Sequence, residues 1–316
     1  MSTTSGGIKE RASSTNTLLI VLLLVAIAVA AADFFYLNKK NGDDRQAVAL
    51  TTQIQVLSQR IAKQATEAAG GNLDAFQDLQ KTRTDIDKDI QSLNNGDERT
   101  GMPGLVDEKS VEKQLGDLSK AWNALNSHAT KIISNKELVL SSAATAADFN
   151  GQIPILNSRM DEVVNALTSS NGSSKQVQIA SRQMLLADRM IRRVSDILQG
   201  GQGAQSAADG FSRDARLYGA VLNGLINGSP DFNIQALANP AAKEILNDVY
   251  QKWTALGEPV QKILDAANGL QDVKAAAESM FLDSETVLDR ASDLGKQVDS
   301  LAGQRPFPNE IGRAHV

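Results

Sequence analysis

Apolar positions follow two regimes along this chain of 316 residues. In the first they form a block: Leu18 to Ala32 carries no charge, and the run resumes past Asp33 with Phe34, Phe35, Tyr36 and Leu37. That block reaches the roughly 20 residues an α-helix needs to cross a bilayer, with the aromatic trio at an interface and two lysines beyond it. A transmembrane helix over 17–37 is therefore expected, after a polar, disordered lead over 1–16. Cleavage as a signal peptide is the rival reading, because Ala28-Val29-Ala30 satisfies a small-residue rule. Continuation of the apolar run to Leu37 favours an uncleaved anchor. Lys39, Lys40 and Arg45 oppose Lys9 and Arg11, so charge leaves the orientation open.

In the second regime the apolar positions recur every three or four residues, the period of a helix with one buried face. Ile54, Leu57, Ile61, Ala65 and Ala68 draw one such stripe on a helix from Gln46 to Ala69, nearly continuous with the membrane segment and ended by Gly70-Gly71-Asn72. A second helix is expected from Leu73 to Leu93, burying Phe76, Leu79, Ile86 and Ile90, followed by a loop over 94–104. A third runs from Glu108 to Ser134 with Val111, Leu115, Leu118, Trp122 and Leu125 inside. A fourth runs from Lys136 to Leu167 and should bend near Gly151 and Pro154. Ser169 to Ser174 marks a break.

Beyond that break the pattern repeats. Leu-x-x-Arg-apolar at Leu57–Ile61 returns at Leu186–Met190, Asp74-Ala75-Phe76 is answered by Asp209-Gly210-Phe211, Asn95-Gly96 by Asn227-Gly228, and Trp122-x-x-Leu125 by Trp253-x-x-Leu256. The shared order, at offsets near 130 residues, reads as a tandem duplication of a four-helix unit. In the second copy Asn239-Pro240 has the form of an N-cap followed by a first-turn proline, and Pro259 should kink a later helix. The expected fold is all-α: one N-terminal transmembrane helix, then two tandem four-helix-bundle modules over 38–170 and 171–303 in an elongated rod.

Composition narrows the chemistry. There is no cysteine, so disulfides, Cys-ligated zinc and thiol nucleophiles are excluded. With two histidines, His128 and His315, a two-histidine metal site or a Ser/His/Asp triad lacks parts. No phosphate-cradling glycine motif is present, and Gly200-Gly201-Gln202-Gly203 reads as a flexible break. A formal charge of −5, without a basic face, argues against nucleic acid. Neither an enzyme, a metal nor a cofactor is expected.

Two sets of residues remain as candidate ligand sites. Arg60 sits at the edge of its apolar stripe, where an arginine either covers core with its stem or offers a cation to an anion. Arg182, Arg189 and Arg193 fall in a narrow arc of one helix beside the Leu186, Met190 and Ile197 stripe. They repel one another unless acids on neighbouring helices or a bound anion neutralise them. Pairing with acids is the simpler outcome; a carboxylate or anion site is the functional one.

The membrane helix, Leu57-Ser58-Gln59-Arg60-Ile61-Ala62-Lys63 with the Ala-Thr-Glu-Ala-Ala that follows, Asn95 to Glu98, and Arg182-Gln183-x-Leu185-Leu186-Ala187-x-Arg189 together resemble the amino-terminal sensory part of the methyl-accepting chemotaxis transducers of type IV pilus systems. The resemblance spans about Leu18 to Gly303. It implies a periplasmic input region tethered to the inner membrane, a homodimer, a pilin or small polar ligand as partner, and control of twitching through a cytoplasmic histidine kinase and adaptor, by way of a HAMP linker and a coiled coil absent from this chain. The first module is also similar to nitrate/nitrite-sensing domains, whose anion-clamping arginine falls at Gln55 here. A neutral amide there implies weak nitrate binding at best, since it supplies no charge to offset desolvation of an anion. The resemblance places the first helix, through Gln55, Ser58, Gln59 and Arg60, at the dimer axis. A membrane-tethered structural adaptor without a ligand is the alternative. The tail over 304–316 ends in Glu310 to Val316, which matches a translated sequencing adapter and is expected not to be native, the chain being a fragment.

Overall fold

A computed structural model describes residues 7–201 and 203–303, with side chains from Leu18 onward. Residues 1–6 of the expected lead and the 304–316 tail lie outside the described residues. Eight helices carry the described fold: α1 (Gly7–Ala69), α2 (Leu73–Asn95), α3 (Glu112–Ser134), α4 (Lys136–Ser169), α5 (Ser174–Gln199), α6 (Ala204–Asn227), α7 (Pro240–Ala255) and α8 (Gly257–Gly303). Among the described residues the fold is all-α apart from an isolated bridge, Ser229 with Ile234, and a short antiparallel ladder, β1 (Gly96–Asp97) on β2 (Met102–Pro103), within the stretch expected to be a plain loop.

The two regimes of the sequence become two surfaces of one helix. α1 starts at Gly7, inside the 1–16 stretch expected to lack structure, and runs unbroken for 63 residues. From Leu18 to Val29 its large apolar side chains are 53–61% exposed, and this is the one described helix long and apolar enough to cross a membrane. Further on, Ile54, Leu57, Ile61, Ala65 and Ala68 are all buried, as their spacing requires. Asn72 N donates to Glu67 O at 3.1 Å across the end of α1, closing the helix at the expected glycines.

Residues group into two compact units that interleave along the sequence. The first comprises the described parts of Met1–Val56, Asp87–Ser119 and Leu288–Val316; the second comprises Leu57–Ile86 and Lys120–Val287. These units cut across the boundary at 170/171 that the repeat suggests. α4 shows why. Its face of Phe149, Ile153, Leu156, Met160, Val163 and Leu167 is buried, and the cover comes from α5 and α7, which also enclose α6. The resulting four-helix bundle of α4 to α7 joins elements from both sides of the Ser169–Ser174 break. Phe149 of α4 meets Phe211 of α6 edge-to-face inside it, with ring centroids 5.4 Å apart.

Local signals decide the joints. Asn171 adopts φ 51°, and Gly172 N donates to Leu167 O at 2.8 Å, which ends α4. Asn239 caps α7, its side chain accepting from Ala242 N at 2.9 Å with Pro240 opening the helix. Neither proline interrupts its helix. α4 continues through Pro154 as one helix. Pro259 falls in the first turn of α8, where its missing N–H has no partner to lose, so it introduces no break.

The repeat is visible in backbone geometry as well. α2 and α6 both end on Asn-Gly with the glycine at positive φ, 97° for Gly96 and 85° for Gly228, a conformation closed to most side chains. Beyond each, a leucine closes the loop: Leu105 N donates to Leu93 O, and Leu237 N to Leu225 O, both at 2.8 Å. A small antiparallel pairing follows in both places, β1 with β2 and Ser229 with Ile234.

Phe149→Ala should remove about 3–5 kcal/mol of stability, seen as a lower urea midpoint by circular dichroism. Tyr218 tests the polar side of the same core. Its ring lies 4.6 Å from that of Trp253, and its buried hydroxyl has no hydrogen-bond partner. Burial raises its pKa well above the ordinary value. Because the folded form holds this proton more tightly, the contribution is complete below about pH 10 and falls as pH rises above it. Tyr218→Phe should therefore be neutral or stabilising at pH 7 and should flatten the alkaline loss of stability; an unchanged alkaline profile would refute the assignment.

Candidate functional site

The structure separates the candidate residues of α1 rather than gathering them on one face. Ser58 is completely buried and Gln55 half-buried, both with interaction partners within the chain. Gln59 and Arg60 are exposed. Buried Ser58 lies with Leu57 and Ile61 in the stripe, whereas Gln59 and Arg60 present their side chains to a partner and Gln55 does so in part. Arg60 makes no ion pair among the described residues.

The arginines of α5 behave otherwise. Asp214 on α6 is 5% exposed, and it holds two of them. Arg189 grips it bidentately, Nη2 to Oδ1 at 2.6 Å and Nε to Oδ2 at 2.8 Å, while Arg193 Nε donates to the same Oδ2 at 2.8 Å. The planar guanidinium suits this fork, and the shared carboxylate offsets the repulsion between the two cations. Pairing with an acid on a neighbouring helix thus accounts for Arg189 and Arg193. Arg182, two turns earlier, is exposed and lies with Arg189 along an open cleft of the second unit.

Gly210 makes this arrangement possible. A Cβ there would overlap Arg193 Nη1, so the guanidinium passes over α6 where a side chain is missing. The sequence reading missed Asp214 and Gly210 because the pairing crosses helices. The available signal was their spacing of four on one helix, which places a gap and an acid on one face.

A second cleft, of about 380 Å3, lies in the first unit beside Tyr36, Lys39, Lys40, Asp43, Asp44 and Glu108. Lys40 is already paired there, Nζ to Glu108 Oε2 at 3.3 Å. Nearby, Gln46 Nε2 donates to Asp97 Oδ2 at 3.4 Å and to Thr100 Oγ1, tying the β1–β2 turn to α1.

A helix long and apolar enough to cross a membrane runs without interruption into helices with buried faces, and the polar candidates lie on an exposed face of α1 and in two clefts, an arrangement of the class of membrane-linked helical input regions. Comparison with known proteins makes this particular. Residues 36–149 match the family described as type IV pili methyl-accepting chemotaxis transducer, N-terminal. The chain is 36% identical over 268 residues to Protein PilJ of Pseudomonas aeruginosa, covering 85% of this chain and 39% of that protein. It is 31% identical over 259 residues to AlkN of Alcanivorax borkumensis, whose name assigns it to methyl-accepting chemotaxis, covering 81% of this chain and 36% of AlkN. Among solved structures, the sensor domain of the Vibrio parahaemolyticus histidine kinase TorS aligns at a TM-score of 0.47 and 13% identity, over 82% of this chain and 100% of that one. Residues 36–149 therefore carry the amino-terminal sensory domain of the type IV pili chemotaxis transducers, and the chain, which spans less than half the length of these curated relatives, is similar to them over most of its own length. The role named for that family, chemotaxis transduction, is a non-enzymatic one.

Removing the shared acid should expose its importance. Asp214→Ala strands two arginines, each partly exposed, so the expected loss is about 1–3 kcal/mol rather than the larger value of a dry pair. Gly210→Ala should act in the same direction by displacing Arg193, and the double variant should lose less than the sum because both changes break one contact. Denaturation midpoints of the three variants check this; full additivity would show that Gly210 does not serve the pair.

Proposed function

We propose that this chain is the periplasmic input region of a dimeric, inner-membrane transducer that controls type IV pilus motility through a cytoplasmic histidine-kinase pathway. The observation that carries the reading is the continuity of α1. A helix with no break between its apolar segment and its buried stripe converts a shift in the bundle into a shift at the membrane. α8 supports a second line of transmission in the first unit. A Cβ at Gly295 of α8 would meet Thr51 Oγ1 of α1 at 2.6 Å, so the helices approach closely there.

In this reading residues 38–170 and 171–303 are the two duplicated sensory modules, and Leu18 to Leu37 is an uncleaved anchor with Met1 in the cytoplasm. The dimer forms along α1 through exposed Gln59 and Arg60. Gln55 leaves nitrate-like anions weakly held. A pilin or a small polar ligand is the partner class, taken from the family.

The absence of cysteine makes the test clean. Gln59→Cys in membranes should cross-link into a dimer under mild oxidation and react with a membrane-impermeant maleimide from the periplasmic side. Ser58→Cys, buried within the subunit, should do neither. A Gln59→Cys protein that stays monomeric sinks the dimer, and labelling from the cytoplasmic side alone sinks the orientation. Substituting this chain for the matching region of PilJ should restore twitching to a strain lacking PilJ; a chimera that inserts normally without restoring it would refute the control of pili.

A further inference from the structure

α5, α6 and the loop before α7 leave open a cleft of about 390 Å3 in the second unit, a size suited to a small ligand. Its walls are apolar, with Leu186, Leu217, Val221 and Phe232 among them, yet Arg182, Gln183 and Arg189 also line it. Leu217 is 39% and Phe232 47% exposed, apolar surface that a ligand would take out of water.

The polar lining has two unanswered groups. Arg182 makes no ion pair among the described residues, whereas Arg189 is held by Asp214. Gln183 is 4% exposed, and its Oε1 has no hydrogen-bond partner. Its Nε2 donates to Ile179 O at 3.3 Å, and since a carbonyl only accepts, that bond fixes which end of the amide is the orphan acceptor. A buried acceptor without a donor is costly, so a ligand that brings one is favoured.

The repeat shows that these features belong to one copy. At the offset of 129 residues that relates Arg60 to Arg189, Arg182 corresponds to Gln53 and Gln183 to Ile54. At the offset of 132 that relates Gly96 to Gly228, Leu217, Val221 and Phe232 correspond to Asp85, Asp89 and Thr100. The second copy carries a cation, an unmatched acceptor and an apolar wall together, which core packing alone does not require.

We propose that this cleft binds a small amphipathic carboxylate that carries an N–H or O–H donor beside its apolar body. The carboxylate meets Arg182, and the apolar part lies against Leu186, Leu217, Val221 and Phe232. The donor reaches Gln183 Oε1 after a small rotation of that side chain. The biological meaning rests on the reading of the chain as a sensory input region, but the binding is measurable without it.

Calorimetry on the full chain in lipid nanodiscs tests this with N-acetyl-L-leucine, which has all three features. N-acetyl-L-leucinamide lacks the charge, and N-acetyl-N-methyl-L-leucine lacks the donor. The acid should bind at one site per chain, the amide roughly tenfold weaker and the N-methyl acid several-fold weaker. Arg182→Gln should erase the difference between acid and amide, Gln183→Leu the difference made by the N–H, and Leu217→Asp should abolish binding. Arg182 and Leu217 are exposed, so these two variants keep the fold even if Gln183→Leu does not. No heat from the acid at millimolar concentration overturns the proposal, as does a preference for the acid that survives in Arg182→Gln or binding that survives in Leu217→Asp. Such a failure leaves the sensory reading to the cross-linking and chimera results, which do not depend on this cleft.

Discussion

One constraint governs this molecule: α1 has to satisfy two solvents with a single unbroken backbone. Over Leu18 to Val29 its apolar side chains have no protein cover, and leaving such residues in water forgoes roughly 1.5–3 kcal/mol each. Lipid is the cover that this surface calls for. Past Asp44 the same helix buries one stripe and exposes the rest. A helix satisfies its own backbone hydrogen bonds, so it passes from one medium to the other without a joint. The bundle inherits its attachment from that continuity.

Within the second unit, charge is organised by one buried acid. Asp214 would be unfavourable alone, and the arginines would repel one another without it. Together they form a bridge from α5 to α6 that Gly210 leaves room for. Two cations share one carboxylate, so the three groups together keep a positive balance. Of the three arginines in this arc, Arg182 makes no ion pair among the described residues and lies along the apolar cleft.

The two copies of the repeat have diverged in use while retaining their joints. Both keep the Asn-Gly turn, the leucine hydrogen bond after it and the short pairing that follows, since a positive φ at a helix end leaves few other residues workable. Helix faces are freer. Arg60 stays solvated on α1, whereas Arg189 in the same motif is locked to Asp214. One motif thus has two fates, set by what the neighbouring helix offers.

The sequence by itself determined the helical class, the membrane-length segment, the buried stripes of α1 to α3, the break at Ser169 to Ser174 and the Asn239 cap. Each of these depends on spacing or on the conformational limits of residues close in the chain. What the sequence could not determine was which helices cover one another. The closing of α4 to α7 into one bundle, the burial of Ser58 beside exposed Gln59 and the capture of two arginines by Asp214 depend on the tertiary structure. Periodicity says that a face must be covered but carries no information about the partner, because hydrophobic burial is non-directional and many faces would serve.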